Sequence, residues 1–588
     1  MLTTLKHGSA TSKRLLCKPI AVRGVRAATT DTRATIVKQL KELKDVKSQD
    51  SKFVDPRRVN VVSEGLCDDI IKFLGPSIER HRHCDLIDIN PGVGIWSQKL
   101  HDFLEPRKHV LMEPDVERYH PMLKDLIAKP RVRLLTKSGV VWKDLLDMIR
   151  TELPSQHEMD REAVPTRNDT LLVTANLSTF PKKAFRNFDS ISTMVIYQFL
   201  SSIRHSSLFQ RYGLVRMLLW LNDEDKSRLI PRSVNRRRRS AFENEMSCEW
   251  FREVAAPEQL VEDRLALRDR WINMESGLNV IQRMEDQGIE IPVARQSKAY
   301  TDLKKEVAYK GCKLAGVKVP SLTRPFKQEL EEMEQEASKD EAAARADKRK
   351  WKRFTILRKV KKMEVEIGEK SIRLIERHNA ISRLATDSPG KFEAADAQWN
   401  DEVENIKKNQ RHAFLSLRDN LALFRHDPPV LHWDRRTYEP MTVSTDEFFP
   451  EAPTALVDIQ PKAMHPLLRQ YGTGTERSGD MSDVMLRNWF LNSTTSAFKA
   501  MENLWGGAGE LINQCPSMVD PSRGGSPMTR YGCPSARTVT EEQWVELLQS
   551  WMDWPFRPSY EKLVARVLHE PDVDVETEDS AGHMAVHF

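Results

Sequence analysis

Short apolar runs alternate with amphipathic stretches through the first 235 residues of the chain. Because short apolar runs bounded by polar turns are typical of buried strands, the pattern predicts five strands. Apolar positions at helical spacing lie between these strands, as at residues 141–153, and also ahead of the first strand, at residues 58–74. The predicted strands are residues 86–89, 110–112, 132–135, 171–175 and 214–221. This alternation of strand and helix predicts a parallel sheet covered by helices on both faces.

The pattern changes from about residue 235 onward. Residues 256–425 have mostly helical spacing, and residues 327–378 are rich in Glu, Lys, Arg and Ala, with one Gly and no Pro. We predict one or two long charged helices there, which form either a docking arm for protein or RNA or a solvated segment without a dedicated role. Strand-like order returns near residues 428–431 and 455–459, and residues 464–570 predict a small helical domain.

Composition narrows the class of protein. The 588 residues are 40% hydrophobic and 30% charged, and the net charge is only +6, so any strongly basic surface is local. The sequence contains no apolar run long enough to cross a membrane. Its seven cysteines are scattered, without a Cys-x-x-Cys or Cys/His cluster, which predicts free thiols and no metal site.

The first 30 residues carry six basic residues and no acidic one. Ser, Thr and Ala fill the positions between the basic residues, a pattern typical of mitochondrial transit peptides. The alternative is a disordered basic tail. The transit-peptide pattern predicts import into the mitochondrial matrix.

A Gly-x-Gly turn is the most informative candidate site. An apolar strand runs into Asn90-Pro91-Gly92-Val93-Gly94 and then into a helix, and the next strand ends at Glu113. Glycines in such a turn let a ligand approach the backbone, and a carboxylate at the end of the next strand suits two ribose hydroxyls. The pattern predicts a nucleoside pocket. In the alternative interpretation, Asp88 and Glu113 only cap the ends of strands.

Three further motifs follow the turn in order. They are Asn176-Leu177-Ser178, then Arg216-Met217-Leu218-Leu219-Trp220, then Asp446-Glu447-Phe448-Phe449-Pro450-Glu451-Ala452-Pro453. On these motifs the chain resembles the ribosomal-RNA adenine dimethyltransferase family, and more closely the mitochondrial transcription factor B branch of that family, as found in fungi. The resemblance covers residues 58–235 and resumes at residues 431–558.

The resemblance implies an α/β fold: a Rossmann-like S-adenosylmethionine-dependent methyltransferase domain with a helical insertion and a small helical C-terminal domain. The expected division is a transit peptide and linker (1–45), a methyltransferase-like core (46–255), a charged helical insertion (256–425), the final core strands (426–463), a helical C-terminal domain (464–570) and an acidic disordered tail (571–588).

The resemblance also implies a cofactor site for S-adenosylmethionine. The Gly-x-Gly segment matches the family's first cofactor motif, and Glu113 matches its ribose-binding acid. Where the family usually has Gly-Asp beside the adenine, this chain has Ser138-Gly139, so the expected acceptor is uncharged. The implied cofactor-binding residues are Asp88, Asn90, Gly92, Gly94, Glu113, Ser138 and Asn176.

The catalytic motif departs from the family pattern of Asn-Leu-Pro followed by Tyr or Phe. The implied catalytic residues are Asn176, Leu177, Ser178 and Phe180. In the family the Asn holds the target amine and the aromatic ring stacks on the flipped base. Here Thr179 occupies the aromatic position and Phe180 lies one residue late. Stacking is worth roughly 1–3 kcal/mol per base, so an offset ring predicts weak catalysis or none.

Basic residues after the fourth predicted strand are candidates for phosphate contacts. They are Arg211, Arg216, Arg232, Arg236, Arg237, Arg238 and Arg239. For the run of four arginines, a solvated loop face is the alternative interpretation.

Three functions stay open at this point. In the first, the protein is a mitochondrial transcription initiation factor that binds mitochondrial RNA polymerase and melted promoter DNA, because a groove built for an unpaired base suits an unstacked strand. In this first function the S-adenosylmethionine site is vestigial. In the second, the protein is an active enzyme that dimethylates adenines of mitochondrial small-subunit ribosomal RNA. The third is a non-catalytic ribosome-assembly protein that docks through the charged helices. We predict a monomer without membrane contact.

Overall fold

The computed structural model describes residues 23–43, 55–160, 163–185, 188–258, 268–321 and 325–567. Most of the predicted transit peptide, residues 1–22, and the predicted acidic tail lie outside the described residues. Of the predicted linker, residues 23–42 form a helix whose end packs on the body: Leu40 is buried beside Tyr119 and Leu123, and Arg33 pairs with Asp446 at 2.7 Å. This part of the chain is therefore a component of the fold.

An eight-stranded mixed sheet organises the protein. Its strands are β2 (Asp85–Ile89), β3 (Lys108–Met112), β4 (Val132–Leu135), β5 (Arg167–Asn176), β6 (Leu214–Asn222), β7 (Cys248–Pro257), β8 (Met441–Val443) and β10 (Thr454–Pro461). The order across the sheet is β4-β3-β2-β5-β6-β10-β7-β8. The first five are parallel, and β10 runs antiparallel to β6 and β7. A separate antiparallel pair joins β1 (Asn60–Val61) to β9 (Phe448–Phe449).

The five strands predicted before residue 235 are confirmed, as is the one predicted at 455–459. The strand predicted near residues 428–431 is wrong. Val430 and Leu431 instead pack on Val234 and Leu423 in a loop ahead of a short helix. Strand β7 was not predicted, because its charged residues interrupt the apolar run and its partner β10 lies about two hundred residues later in the chain.

Helices cover both faces of the sheet and extend it. Those of the first 250 residues are α1 (Arg23–Glu42), α2 (Glu64–Ile78), α3 (Ile95–Leu104), α4 (Val116–Ile127), α5 (Trp142–Glu152), α6 (Ile191–Arg204), α7 (Asp223–Leu229) and α8 (Arg239–Ser247). The middle ones are α9 (Arg270–Gln287), α10 (Lys298–Leu303), α11 (Pro325–Lys339), α12 (Glu341–Ala346), α13 (Lys348–Asp387), α14 (Pro389–Glu404), α15 (Lys408–Arg425) and α16 (His432–Arg435). The last are α17 (Ser478–Leu491), α18 (Ala497–Leu504), α19 (Pro516–Val519), α20 (Glu541–Asp553) and α21 (Tyr560–Val567).

Each face of the sheet has its own apolar core. On one face, helices α5 and α6 bury Leu145, Met148 and Phe199 against the strands. On the other, α2, α3 and α9 bury side chains that include Leu66 and Met284. Helix α9, which lies within the predicted insertion, packs directly on the sheet.

The charged segment at residues 327–378 forms a helical hairpin. Helices α11 and α13 run antiparallel, because ion pairs join Lys327, near the start of α11, to Glu364 and Glu336, near the end of α11, to Lys350. Apolar side chains such as Leu330 and Leu357 fill the space between the helices. The second half of α13 packs with α14 and α15 around buried Trp399. We call the paired part of α11, α12 and residues 348–364 of α13 the arm.

The C-terminal helices α17 to α21 surround three buried tryptophans, Trp489, Trp544 and Trp551. Arg237 ties this group to the sheet domain. It is buried, pairs with Glu245, and donates hydrogen bonds to the carbonyls of Arg537 (2.6 Å) and Val539 (2.8 Å). Its guanidinium is fully used inside the protein, which corrects the prediction that Arg237 contacts a phosphate.

Arg216 also holds the fold together. It is fully buried on β6 and makes a bidentate ion pair with Asp458 on β10, with both N–O distances at 2.7 Å, and donates to the carbonyl of Ser77 at 2.8 Å. Burial alone would raise the pKa of Asp458, but the guanidinium lowers that pKa below its ordinary value. The prediction of a phosphate contact at Arg216 is therefore corrected to a structural role between two strands.

We expect Arg216→Met to lower the free energy of unfolding by about 3–5 kcal/mol, because Asp458 then stays buried without its cation. Urea denaturation followed by circular dichroism measures the change. The double change Arg216→Met with Asp458→Asn recovers most of the loss. Arg133→Met is the matched control, since Arg133 lies on edge strand β4 with its side chain 61% exposed. Equal effects of Arg216→Met and Arg133→Met would contradict the structural role.

Candidate functional site

The residues predicted to bind the cofactor meet at the carboxyl ends of β2, β3 and β5. The turn after β2 places Gly92 and Gly94 at φ values of 60° and 78°, a region that glycine adopts readily, and α3 begins directly after it. The Asn90 side chain donates to the carbonyl of Asn176 at 3.2 Å. The backbone N–H of Gly92 donates to Glu113 at 3.1 Å. The local fold is that of a nucleoside pocket.

The Glu113 carboxylate is already occupied by the protein. It is fully buried and forms a bidentate ion pair with Arg58, with N–O distances of 2.8 and 2.7 Å. The backbone N–H groups of Gly92 and Asp115 donate to the same carboxylate at 3.1 and 2.9 Å. A carboxylate offers about four acceptor positions. All four are filled from within, so none faces a ribose hydroxyl.

Arg58 is fixed in this position from several sides. Its side chain is buried, and its guanidinium carbon lies 4.5 Å from the centre of the Tyr119 ring. Burial alone would lower the pKa of Arg58, but the neighbouring Glu113 carboxylate raises that pKa above its ordinary value. The cation therefore neutralises the acid that the family pattern assigns to the ribose.

Arg58 belongs to a segment that crosses the edge of the sheet, residues 57–61, which we call the strap. The N–H of Val59 donates to the carbonyl of Ser178 at 3.0 Å, and the N–H of Phe180 donates to the carbonyl of Arg57 at 2.8 Å. The strap thus pairs with the segment that carries the predicted catalytic motif, and lies over the end of β5.

Asn60 of the strap fills the space beside the glycine turn. A Cβ atom placed on Gly92 would lie 2.2 Å from the Asn60 side-chain oxygen. The Asn60 amide nitrogen donates to the Tyr119 hydroxyl at 3.3 Å. Because Gly92 has no side chain, Asn60 fits against the turn. The family pattern implies a cofactor in this space.

A small cavity lies between the glycine turn and the end of β5. The cavity lined by Asp88, Trp96, Thr174, Asn176 and Trp220 has about 10 Å³ of room, enough for about one water molecule. Small-molecule sites are usually about 300–1,000 Å³. This cavity does not hold a nucleoside, and the filled Glu113 carboxylate does not fit the ribose of S-adenosylmethionine.

Two polar atoms of the predicted cofactor set remain without a hydrogen bond among the described residues. They are the Oδ2 atom of Asp88, which lies 3.5 Å from the His109 Nε2 atom, and the hydroxyl of Ser138. Both side chains are buried. The lining of the pocket therefore keeps part of its polar character while the ribose position is filled.

The predicted catalytic residues are used for internal bonds, except for Phe180. The Asn176 amide donates to the carbonyl of Val59 at 2.7 Å and accepts from the N–H of Ser178 at 3.3 Å. Leu177 is buried in the core, and the Ser178 hydroxyl bonds to that of Thr454 at 3.0 Å. The Asn176 amide is therefore bonded to backbone groups of the strap and of its own segment.

Aromatic rings at the same edge are open to solvent. The Phe180 side chain is 45% exposed, and that of Trp142, at the start of α5, is 46% exposed. The Trp142 indole donates to Gln198 on α6 at 3.1 Å. Gln198 also lines a groove of about 450 Å³ between α6, α7 and α8, which Phe188 and Arg239 share. Exposed rings beside a groove with arginines can stack unpaired bases.

The remaining candidate arginines differ in accessibility. Arg211 contacts Glu158 at 3.3 Å, and Arg232 lies 3.8 Å from the Trp433 ring and pairs with Glu253. Arg236 is half-buried, Arg238 is exposed, and Arg239 pairs with Glu243 at 3.2 Å beside the groove.

Among the described residues no group of three or more His, Cys, Asp or Glu side chains is arranged to hold a metal ion. In the same part of the chain, no helix is both long and apolar enough to cross a membrane.

Parallel strands, a glycine turn after the first of them, an acid after the second and a polar motif after the fourth define a Rossmann-like methyltransferase domain. Residues 62–261 match the family model described as ribosomal RNA adenine dimethylase, which confirms the resemblance to that family.

Two curated relatives are mitochondrial transcription factors. The chain is 25% identical over 152 residues to mitochondrial transcription factor 1 of Lachancea kluyveri, across 25% of this chain and 40% of that protein. It is 27% identical over 150 residues to mitochondrial transcription factor 1 of Saccharomyces cerevisiae, across 25% and 39%. The chain thus spans about two fifths of the length of the curated relatives it matches.

A solved structure, the crystal structure of a dimethyladenosine transferase from Plasmodium falciparum, aligns with 42% of this chain and 98% of its own, at 12% identity and a TM-score of 0.22.

Sequence reasoning missed Arg58, Asn60 and Trp142. Arg58 and Asn60 precede the first predicted strand by about 25 residues, and nothing in the local sequence pairs them with Glu113 or Gly92. The one available signal was the Arg57-Arg58 pair directly ahead of an apolar run, where a cation has no local acid to contact except Asp55.

We expect Arg58→Met to lower the free energy of unfolding by about 3–5 kcal/mol, because Glu113 then stays buried without its cation. Arg57→Met is the matched control, since the neighbouring Arg57 is part-buried and bonds only to nearby Asp55; we expect it to cost under about 1 kcal/mol. Urea denaturation measures both. If Arg58→Met with Glu113→Gln is no more stable than Arg58→Met alone, the ion pair is not what holds the strap.

Proposed function

We propose that this protein is a mitochondrial transcription initiation factor that uses a methyltransferase fold without methyl transfer. The observation that carries the proposal is the buried Arg58–Glu113 ion pair, which fills the ribose position. In this view the S-adenosylmethionine site is vestigial, and the fold serves to bind nucleic acid.

Similarity supports the same assignment. Relatives from two yeasts are named mitochondrial transcription factor 1. The first 30 residues are basic and contain no acidic residue, which agrees with import into the mitochondrial matrix. The partners we propose are mitochondrial RNA polymerase and promoter DNA.

The exposed edge supplies a way to assist promoter melting. Once base pairs open, an unpaired base gains about 1–3 kcal/mol by stacking on an aromatic ring. Phe180 and Trp142 present such rings. Three exposed lysines lie nearby in the sequence: Lys137 in the loop after β4, Lys143 at the start of α5 and Lys183 in the loop after β5. Bases held on these rings and phosphates held by these lysines would favour the melted state over the duplex.

The alternative, an active adenine dimethyltransferase, requires a different arrangement of the same residues. The strap would have to withdraw Arg58 from Glu113 and Val59 from Asn176 before a cofactor and a target amine could enter. The free oxygens of Asp88 and Ser138 agree with descent from such an enzyme.

Promoter-specific initiation tests the proposal. Purified full chain is added to mitochondrial RNA polymerase from the same source on mitochondrial promoter templates, and run-off transcripts are measured. The proposal predicts stimulated initiation without added S-adenosylmethionine. Absence of stimulation on every mitochondrial promoter, together with methylation of ribosomal RNA in a parallel assay, would establish the enzyme alternative.

We expect Phe180→Ala to weaken binding to a DNA duplex with a melted bubble by roughly 5- to 150-fold, the equivalent of one lost stacking contact. Binding to the fully paired duplex should stay unchanged, because paired bases do not reach the ring. Fluorescence anisotropy measures both. Phe556→Ala is the matched control, since Phe556 is 76% exposed on the C-terminal domain. Equal losses for both variants would contradict a stacking role for Phe180.

A further inference from the structure

The arm has an unusual distribution of charge. Residues 348–363 of α13 contain nine lysines and arginines and no acid. The opposing helix α11 supplies five glutamates between residues 329 and 336. The two signs are therefore separated onto two helices, and the contacts between these helices decide which charges remain open to solvent.

The inner side of α13 is neutralised within the arm. Lys350 pairs with Glu336, Arg353 with Glu329 and Lys361 with Glu334. These residues share a side of the helix with buried Phe354 and Leu357, as expected from 3.6 residues per turn. The three ion pairs and the apolar contacts together fix which side of α13 faces α11.

The outer side of α13 keeps its charge. Five exposed cations there have no ion-pair partner among the described residues. They are Lys348, Arg349, Lys352, Arg358 and Lys359, and we call them the basic face. Lys362, one turn further along, reaches only Glu366, at 4.0 Å.

The opposite side of the arm is acidic. Glu331 and Glu332 on α11 are exposed, and neither has an ion-pair partner among the described residues. On the surface of a soluble protein, charges of both signs are usually interspersed. An arm with one basic and one acidic side is instead oriented by the field of a charged partner.

We infer that the basic face binds the phosphate backbone of a nucleic-acid duplex. At 1.5 Å per residue, Lys348 to Lys359 span about 17 Å. A duplex carries one negative charge per about 1.7 Å of its axis, so the face spans about ten phosphates. Lysines and arginines suit sequence-independent contacts to phosphate.

The position of the arm separates this contact from the sheet edge. Helix α13 meets the body at Gly368, where an added Cβ would lie 2.9 Å from Val319. Lys348 lies 20 residues before that point, so the basic face extends about 30 Å beyond it. The inference goes beyond the proposed function, because it assigns a second nucleic-acid contact that does not depend on base stacking.

The dependence of duplex binding on salt tests the inference. The probe is a 30-base-pair duplex of arbitrary sequence, prepared as DNA and as RNA, and anisotropy gives the binding constant at several salt concentrations. If Lys348, Lys352 and Lys359 each contact a phosphate, changing all three to Gln lowers the log–log salt slope by about 2.7, or 0.9 for each contact. The two probes distinguish a DNA from an RNA duplex as the ligand.

The matched control changes Lys298, Lys304 and Lys313 to Gln. These lysines are exposed on the body outside the arm, and their loss changes the net charge equally. The inference predicts a control slope close to that of the unchanged protein. Equal slopes for both triple variants on both probes would overturn it. So would a change confined to self-association in sedimentation or to polymerase binding, which would assign the face to a second copy or to a protein partner.

Discussion

The Arg58–Glu113 ion pair determines what the carboxyl edge of the sheet can do. Two buried charges are costly unless their hydrogen bonds are complete, and removing one partner is more costly than keeping both. Here the carboxylate receives two N–H groups from Arg58 and two from the backbone. The pair also anchors the strap, and the strap in turn bonds to Asn176 and to the segment around Ser178. One interaction thus closes both the ribose position and the catalytic motif.

The rest of the edge follows from this closure. With the pocket filled, the glycine turn no longer has a ligand to accommodate, and Asn60 packs on it. Phe180, displaced by one residue from the family's aromatic position, is exposed to solvent, as is Trp142. A surface that can stack bases is therefore retained while the chemistry beneath it is blocked. Nucleic-acid binding without methyl transfer is the consistent interpretation of both facts.

Much of the fold could be predicted from the sequence, because buried parallel strands are short apolar runs and a glycine turn has few alternatives. Site partners could not be predicted in the same way. A carboxylate at a strand end suits a ribose and a guanidinium equally well, and Arg58 lies 55 residues from Glu113. The same limit applies to Arg216, whose acid lies on β10, and to Arg237, which donates to carbonyls about 300 residues later in the chain; the charge of both had indicated phosphate. Long-range pairing is a property of the packed chain.

Isothermal titration calorimetry of the full chain with S-adenosylmethionine tests the closure of the pocket most directly. A methyltransferase that binds S-adenosylmethionine serves as the positive control in the same buffer. The account predicts no saturable heat with this protein, because Arg58 and two backbone N–H groups occupy the Glu113 carboxylate. Saturable binding that is lost on Glu113→Gln would contradict it, since the ribose would then displace Arg58 from that carboxylate.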